Sequence, residues 1–114
     1  MEIQTMITGL WIDDVRDPQP FTYKNTNVKW TRVRSVKEAK YCIRHMESIG
    51  YPYNLISSDH DAGEFVVYGG DYIKLLDWLE ETGRSYPIHI HTDNAVARER
   101  MRAIIQRNGW KEIR

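Results

Sequence analysis

The chain predicts an α/β fold, a parallel sheet covered on both faces, and three observations carry that reading. Short runs of apolar and β-branched residues alternate with longer stretches of helical periodicity. The apolar runs stop abruptly at polar clusters: Asp13–Asp14, Asp59–His60–Asp61 and Thr92–Asp93–Asn94. Gly50 and Gly83 close the first two helical stretches, as glycines do at helix ends. Strands joined through helices run parallel, and open parallel sheets bind ligands at the carboxyl ends of their strands. The three polar clusters are therefore expected to converge on one edge.

Taken in order, Ile7 to Ile12 (ITGLWI) forms the first strand and ends at the two aspartates. In the following DVRDPQPFTYKNTN, Pro18 and Pro20 exclude a regular helix and the asparagines favour turns, so the segment reads as a loop. Val28 to Arg34 (VKWTRVR) alternates and is rich in β-branched and aromatic residues, which predicts a strand. Ser35 is placed to cap a helix, with Glu38 completing a capping box; Val36, Ala39, Ile43 and Met46 supply its apolar face. Asn54 to Ser58 is the next strand, followed by the glycine-containing loop AGEFVVYGG. Asp71 can cap a second helix, DYIKLLDWLEETG, whose apolar face is Ile73, Leu75, Leu76 and Leu79. Tyr86 to His91 is a strand, AVARERMRAIIQRNG a third helix, and WKEIR a short closing strand. No repeat, low-complexity tract or linker interrupts the chain, so residues 1–114 are expected to form one domain.

Composition limits the partners. Charged residues make up 28% with a formal net charge of +0, so no overall field draws the protein to duplex DNA or a membrane, and any anion site must be built locally. The single cysteine, Cys42, excludes an internal disulfide and suits a reducing cytoplasm. MEIQTMITGLWIDD lacks a secretory pattern, and no run approaches the ~20 apolar residues of a membrane span. A soluble cytoplasmic protein is expected.

Asp13, Asp14 and Asp59 brought together raise each other's pKa, a cost that a divalent cation removes. An all-oxygen set suits Mg2+, or Mn2+, which commonly bridges carboxylates to a substrate phosphate; the same acids also serve as plain turn caps. Thr92 and Asn94 open a helix whose N-terminus can hold phosphate, although both are ordinary N-cap residues. His89 and His91 share one face of a strand, with Ile88 and Ile90 on the other. His60 and His91 across a phosphate would act as general base and general acid in phosphodiester cleavage; with carboxylates they would instead hold zinc or manganese. His89 reads as a histidine packed under a helix and His45 as a surface residue. Arg16 and Arg98 are the arginines nearest the strand ends, placed for phosphate. Trp11 and Tyr68 could line a pocket for a base or a ring, with core or rim packing the plainer reading, and Gly69–Gly70 reads as loop punctuation.

The order of these clusters resembles a response-regulator receiver domain: an acidic pair after the first strand, an acceptor aspartate after the third at Asp59, and a hydroxyl residue after the fourth at Thr92. The proline-containing loop replaces the first receiver helix, and no lysine follows the fifth strand before Arg114. The chain is more similar still to the cyclic-phosphate processing receiver family, through LWIDDVRDP at Leu10–Pro18, SSDHDAG at Ser57–Gly63, GGDY at Gly69–Tyr72 and HTDNAVARERM at His91–Met101. Ala62 and Thr92 are small departures from the motifs. The resemblance implies a receiver-like, flavodoxin-like sheet of five parallel strands in the order 2-1-3-4-5. It also implies a bacterial or phage protein that handles a cyclic phosphate of a nucleotide or RNA end with a divalent cation.

The leading expectation is a metal-dependent phosphoesterase: Asp13, Asp14 and Asp59 on Mg2+ or Mn2+, His60 and His91 dividing the proton transfers, and Arg16, Asp61, Thr92, Asn94 and Arg98 around the phosphate. Two alternatives stand beside it, a module that binds a cyclic nucleotide without turning it over and a phospho-accepting signalling receiver.

Overall fold

A computed structural model describes residues 6–114; residues 1–5, part of the stretch used to judge a secretory leader, lie outside the described residues. The strands are β1 (Ile7–Ile12), β2 (Thr22–Tyr23), β3 (Thr26–Val33), β4 (Leu55–Ser58), β5 (Ile88–Ile90) and β6 (Glu112–Ile113). The helices are α1 (Val36–Ser48), α2 (Ile73–Glu81) and α3 (Ala95–Asn108), with a 3-10 segment over Gly63–Tyr68. The sheet order is β2-β3-β1-β4-β5-β6. All neighbours pair in parallel except β2, which lies antiparallel on β3.

Without β2, the sheet is the expected five parallel strands in the expected order. The sixth strand comes from the segment read as a loop. A two-residue turn at Lys24 and Asn25, both at positive φ, folds Thr22–Tyr23 back on Thr26–Asn27. Asparagine tolerates that conformation, and such turns match strand twist. The prolines upstream do exclude a helix, and residues 13–21 run as irregular chain.

The Ser35 cap forms as expected, and two other capping features differ. Ser35 caps α1 by accepting from the Glu38 N–H, but the Glu38 carboxylate accepts from the Arg34 N–H, one residue earlier than a capping box requires. Asp71 does not cap α2. That helix has Tyr72 at its N-cap with no side-chain cap bond, and Asp71 Oδ1 instead accepts from the Ala62 N–H at 3.0 Å, bracing the two ends of the 3-10 segment.

The helices gather on one face. Leu10, Ile12, Ile56, Ile88 and Ile90 pack there with Ile43 of α1, Leu76 of α2 and Met101 of α3 in the main core. The alternate residues Trp11, Ser57 and His89 share one row across β1, β4 and β5 and emerge on the opposite face. That face is roofed by the Pro18–Tyr23 stretch rather than by a helix: Phe21 lies against Trp30 and His89, over a small cluster of Ile7, Tyr23, Val28 and Leu55. His89 is thus packed under a loop, not under a helix as its pattern suggested. His45 is exposed, stacked on Tyr41. Among the described residues no helix is long and apolar enough to cross a membrane.

Candidate active site at the carboxyl edge of the sheet

Parallel register brings the acids and imidazole together. Ile12, Ser58 and Ile90 lie side by side, so Asp13, Asp59 and His91 follow as the next row. The ladder continues through them: Asp13 N–H donates to Val33, Asp59 N–H to Ile12 and His91 N–H to Ser58, at 3.0–3.2 Å. One ligand atom from each of Asp13, Asp59 and His91 lies within 4.8 Å of the others. His91 Nε2 is 3.0 Å from Asp13 Oδ2.

Asp13 is 1% exposed, and its Oδ1 accepts from the Val15 and Arg16 N–H groups at 2.9 Å. Burial pushes its carboxyl up, but those two donors and His91 outweigh it, and the group sits below the ordinary carboxylate value. Burial pushes His91 down further than Asp13 holds it up, so the imidazole is neutral at pH 7. These states fix the hydrogens. His91 Nε2–H donates to the Asp13 carboxylate, and Nδ1 is left as an acceptor. The Ser57 hydroxyl, 2.7 Å from His91 Nδ1 and 2.8 Å from His89 Nδ1, donates to His91 and accepts from His89. A continuous chain therefore runs from His89 through Ser57 and His91 to Asp13. Trp11 closes one side of it, its ring 4.0 Å from that of His91 and nearly parallel.

Asp14 flanks this group. Burial, followed by the charges of Asp13 and Asp59, raises its carboxyl above the ordinary value. The 3-10 segment approaches it so closely that a Cβ on Gly63 would stand 2.3 Å from Asp14 Oδ2. Asp59 Oδ1 accepts from the His60 N–H at 2.7 Å. The His60 ring turns to its own neighbour, with Nδ1 2.7 Å from Asp61 Oδ1. That bond leaves Nε2 as the ring nitrogen without a partner among the described residues.

Arg16 reaches over the end of β5, where its guanidinium donates to Asp93 Oδ2 at 2.6 Å and to the His91 carbonyl at 3.3 Å. Thr92 is buried, and its hydroxyl accepts from the Asn94 N–H at 3.2 Å. Asn94 caps α3 by accepting from the Ala97 N–H, and Arg98 donates to the Thr92 carbonyl. The turn that opens α3 is thereby fully braced.

Two participants escaped the sequence reading. Ser57 looked like the tail of an apolar strand, and Arg32 like an alternating strand residue. Arg32 reaches the Asp13 carbonyl at 3.5 Å and Asp17 Oδ1 at 2.8 Å, while its buried Nε has no partner among the described residues. The signal for Ser57 was positional: it shares strand parity with Trp11 and His89 once the register is known.

No curated protein and no solved structure matches the chain. A family model does: residues 8–107, which include every motif at this edge, match the cyclic-phosphate processing receiver domain. With all but the ends of the chain covered and the receiver strand order in place, the protein belongs to the cyclic-phosphate processing receiver domain family.

Proposed function

We propose that the domain opens a cyclic phosphodiester of a nucleotide or RNA end by metal-assisted hydrolysis at the Asp13–Asp59–His91 group. The observation that carries this reading is the packing of those three ligand atoms within 4.8 Å, with Asp14 alongside at a raised pKa. Two carboxylates and an imidazole this close, with the Asp14 carboxylate beside them, favour a divalent cation, so the residues fit one. Two carboxylates and an imidazole suit Mn2+ at least as well as Mg2+. Asp13, Asp59 and His91 would hold the ion, His91 through Nε2 with its proton shifted to Nδ1; Ser57 would then accept from His91 Nδ1–H and donate to His89 Nδ1, so that both remain outer partners orienting the ring. A bound ion supplies polarisation of a phosphoryl oxygen and relief of the carboxylate charge.

The remaining work falls to the chain's own residues. His60, its Nδ1–H directed to Asp61, offers Nε2 to take a proton from the attacking water. Water adds to phosphorus, one ribose P–O bond breaks, and the leaving oxygen takes up a proton from solvent, giving a monoester and a free hydroxyl. Arg16 lies where a guanidinium steadies the added negative charge of the product. Thr92 and the N-terminal turn of α3 line the same edge.

The test is phosphorus NMR of 2′,3′-cyclic AMP, and of a short RNA with a 2′,3′-cyclic end, incubated with the protein and Mn2+ or Mg2+. Opened monoester is expected, with turnover stopped by chelation. His60→Ala should lower turnover at least about tenfold with the metal titration unchanged. Cyclic phosphate recovered intact from a metal-saturated protein overturns hydrolysis. Intact phosphate that stays tightly bound makes the site a binding module instead.

A further inference from the structure

A second feature, basic rather than acidic, lies beside this edge. Between the first half of α1 and the 3-10 segment is a cleft of about 530 Å³, lined by Arg32, Arg34, Lys37, Tyr41, Phe65 and Tyr68. It continues past Tyr68 into a second hollow of about 290 Å³, where Lys40 and Arg44 join Lys37. Lys37, Lys40 and Arg44 recur at helical spacing on one side of α1. The carboxylate that lines the cleft, Glu38, is occupied by the Arg34 N–H. Among the described residues, Arg34, Lys37, Lys40 and Arg44 form no ion pair with a carboxylate. On a chain of formal net charge +0, these four cations outnumber the one lining carboxylate, which keeps its charge, and Lys40 and Arg44 sit over the Trp78 ring rather than on an acid.

The aromatic side chains give the cleft its second property. Tyr41 is 65% and Tyr68 52% exposed, and Phe65 packs beside Tyr68 with ring centroids 6.5 Å apart. Rings left in solvent between cations provide stacking platforms within a positive channel, the combination that holds single-stranded nucleic acid without reading its sequence. The run from Lys37 to Arg44 covers about 10 Å of helix, longer than one phosphate needs.

The cleft also has a direction. One end of the 3-10 segment, Gly63, touches Asp14, and Gly69 just past the other end packs on Val36 and Lys37 of α1. Arg34 follows Val33, which stands beside Ile12 in the sheet, so Arg34 occupies the Asp13 row. Arg32 lines the cleft and reaches the Asp13 carbonyl. A strand lying along α1 would therefore deliver its end to the acidic edge.

We propose that this cleft binds single-stranded RNA and leads a strand's terminal phosphate to the Asp13–Asp59–His91 group. The choice of RNA over DNA rests on the proposed hydrolysis, because only a ribose chain carries a 2′,3′-cyclic end. The binding chemistry, cations interleaved with exposed rings, does not.

The test uses the full chain in EDTA and fluorescence anisotropy of a labelled single-stranded RNA octamer ending in a 3′-hydroxyl, so neither metal nor cyclic phosphate contributes. Salt-sensitive binding is expected. Lys37→Glu with Lys40→Glu should weaken it at least about tenfold and flatten the salt slope by roughly 0.7 for each phosphate no longer neutralised. Tyr68→Ala, an exposed site that leaves the core intact, should weaken it about tenfold with the salt slope unchanged. Absence of binding, or binding that ignores both variants, overturns the proposal. So does equal capture of a polyglutamate peptide of the same charge, which would make the cleft a protein-docking surface. If the octamer binds as expected while cyclic phosphates stay intact, the groove stands and the hydrolytic reading falls. If cyclic AMP is opened and the octamer ignored, the reverse holds.

Discussion

Ile56 and Ser57 are neighbours in β4, both fully buried, and they face opposite worlds. Ile56 enters the core under α1, α2 and α3, where apolar contacts surround it. Ser57 enters the other face, where it holds two imidazoles and touches the chain that ends at Asp13. One face is built for cohesion and the other for orientation. The sheet between them gives a rigid floor to a site whose polar parts would not hold a fold together.

The first way to break that contrast is to cut each neighbour to alanine. Ile56→Ala leaves a cavity in a well-packed core and should cost about 2–5 kcal/mol in urea unfolding. Ser57→Ala removes few atoms but leaves the two imidazole Nδ1 positions without their shared partner, at about 1–3 kcal/mol. Its larger effect should be on the proposed chemistry, through loss of the His91 orientation. Equal losses of stability with unchanged turnover in Ser57→Ala would erase the distinction between the faces.

Much of the cohesive face was legible, because burial writes itself as periodicity. Val36, Ala39 and Ile43, and Leu75, Leu76 and Leu79, announce their helices, and all six are buried. The site was legible as three clusters at strand ends, since register alone joins Asp13, Asp59 and His91. What stayed hidden was tertiary. The β2 strand is two residues long, too short for alternation to mark. Asp71 looked like a cap but was drawn to Ala62 by the fold of the 3-10 segment. Ser57 opens the SSDHDAG motif, but its role stays hidden there, because its partners lie on β5 and just past it, more than thirty residues along the chain. The basic cleft mixes residues from β3, α1 and the 3-10 segment, so no window of sequence contains it.

A smaller test sits where the 3-10 segment meets the acids. Gly63 has φ +56 and stands against Asp14, so an alanine there takes a left-handed conformation and meets a carboxylate. Gly63→Ala should cost about 1–2 kcal/mol from backbone conformation. It should also lower Mn2+ affinity in calorimetric titration, by displacing Asp14. Wild-type affinity with the stability loss present would separate Asp14 from the cation.

Acid should act selectively on the polar face. Burial depresses both His89 and His91 below their ordinary value of 6.5, for His89 with help from the His91 charge. Between that value and the depressed folded one the unfolded chain binds more protons, so stability rises with pH there. The contribution is present above about pH 6.5 and is lost as pH falls through the folded value. Asp13, also depressed, adds a loss of the same sign at lower pH. Thermal melting of the metal-free protein from pH 7.5 to 5 should show the decline, and His89→Leu should shrink it. A flat profile over that range would mean that the imidazoles are not held neutral by burial.

The smallest expected change has the opposite sign. Asp14 is raised by burial and by Asp13 and Asp59, so above its ordinary value of 3.8 the unfolded chain ionises first. Its contribution to stability falls as pH rises through the raised folded value. An asparagine in its place would carry no charge to repel. Asp14→Asn should therefore melt slightly higher than the wild type in EDTA, while the rise in melting temperature on adding Mn2+ becomes smaller, because stabilisation by a ligand follows its affinity for the folded state. A polar face that gives up stability for a charged guest must show both shifts together. A variant that melts lower in EDTA, or that gains as much from Mn2+ as the wild type, would place Asp14 among the ordinary turn residues.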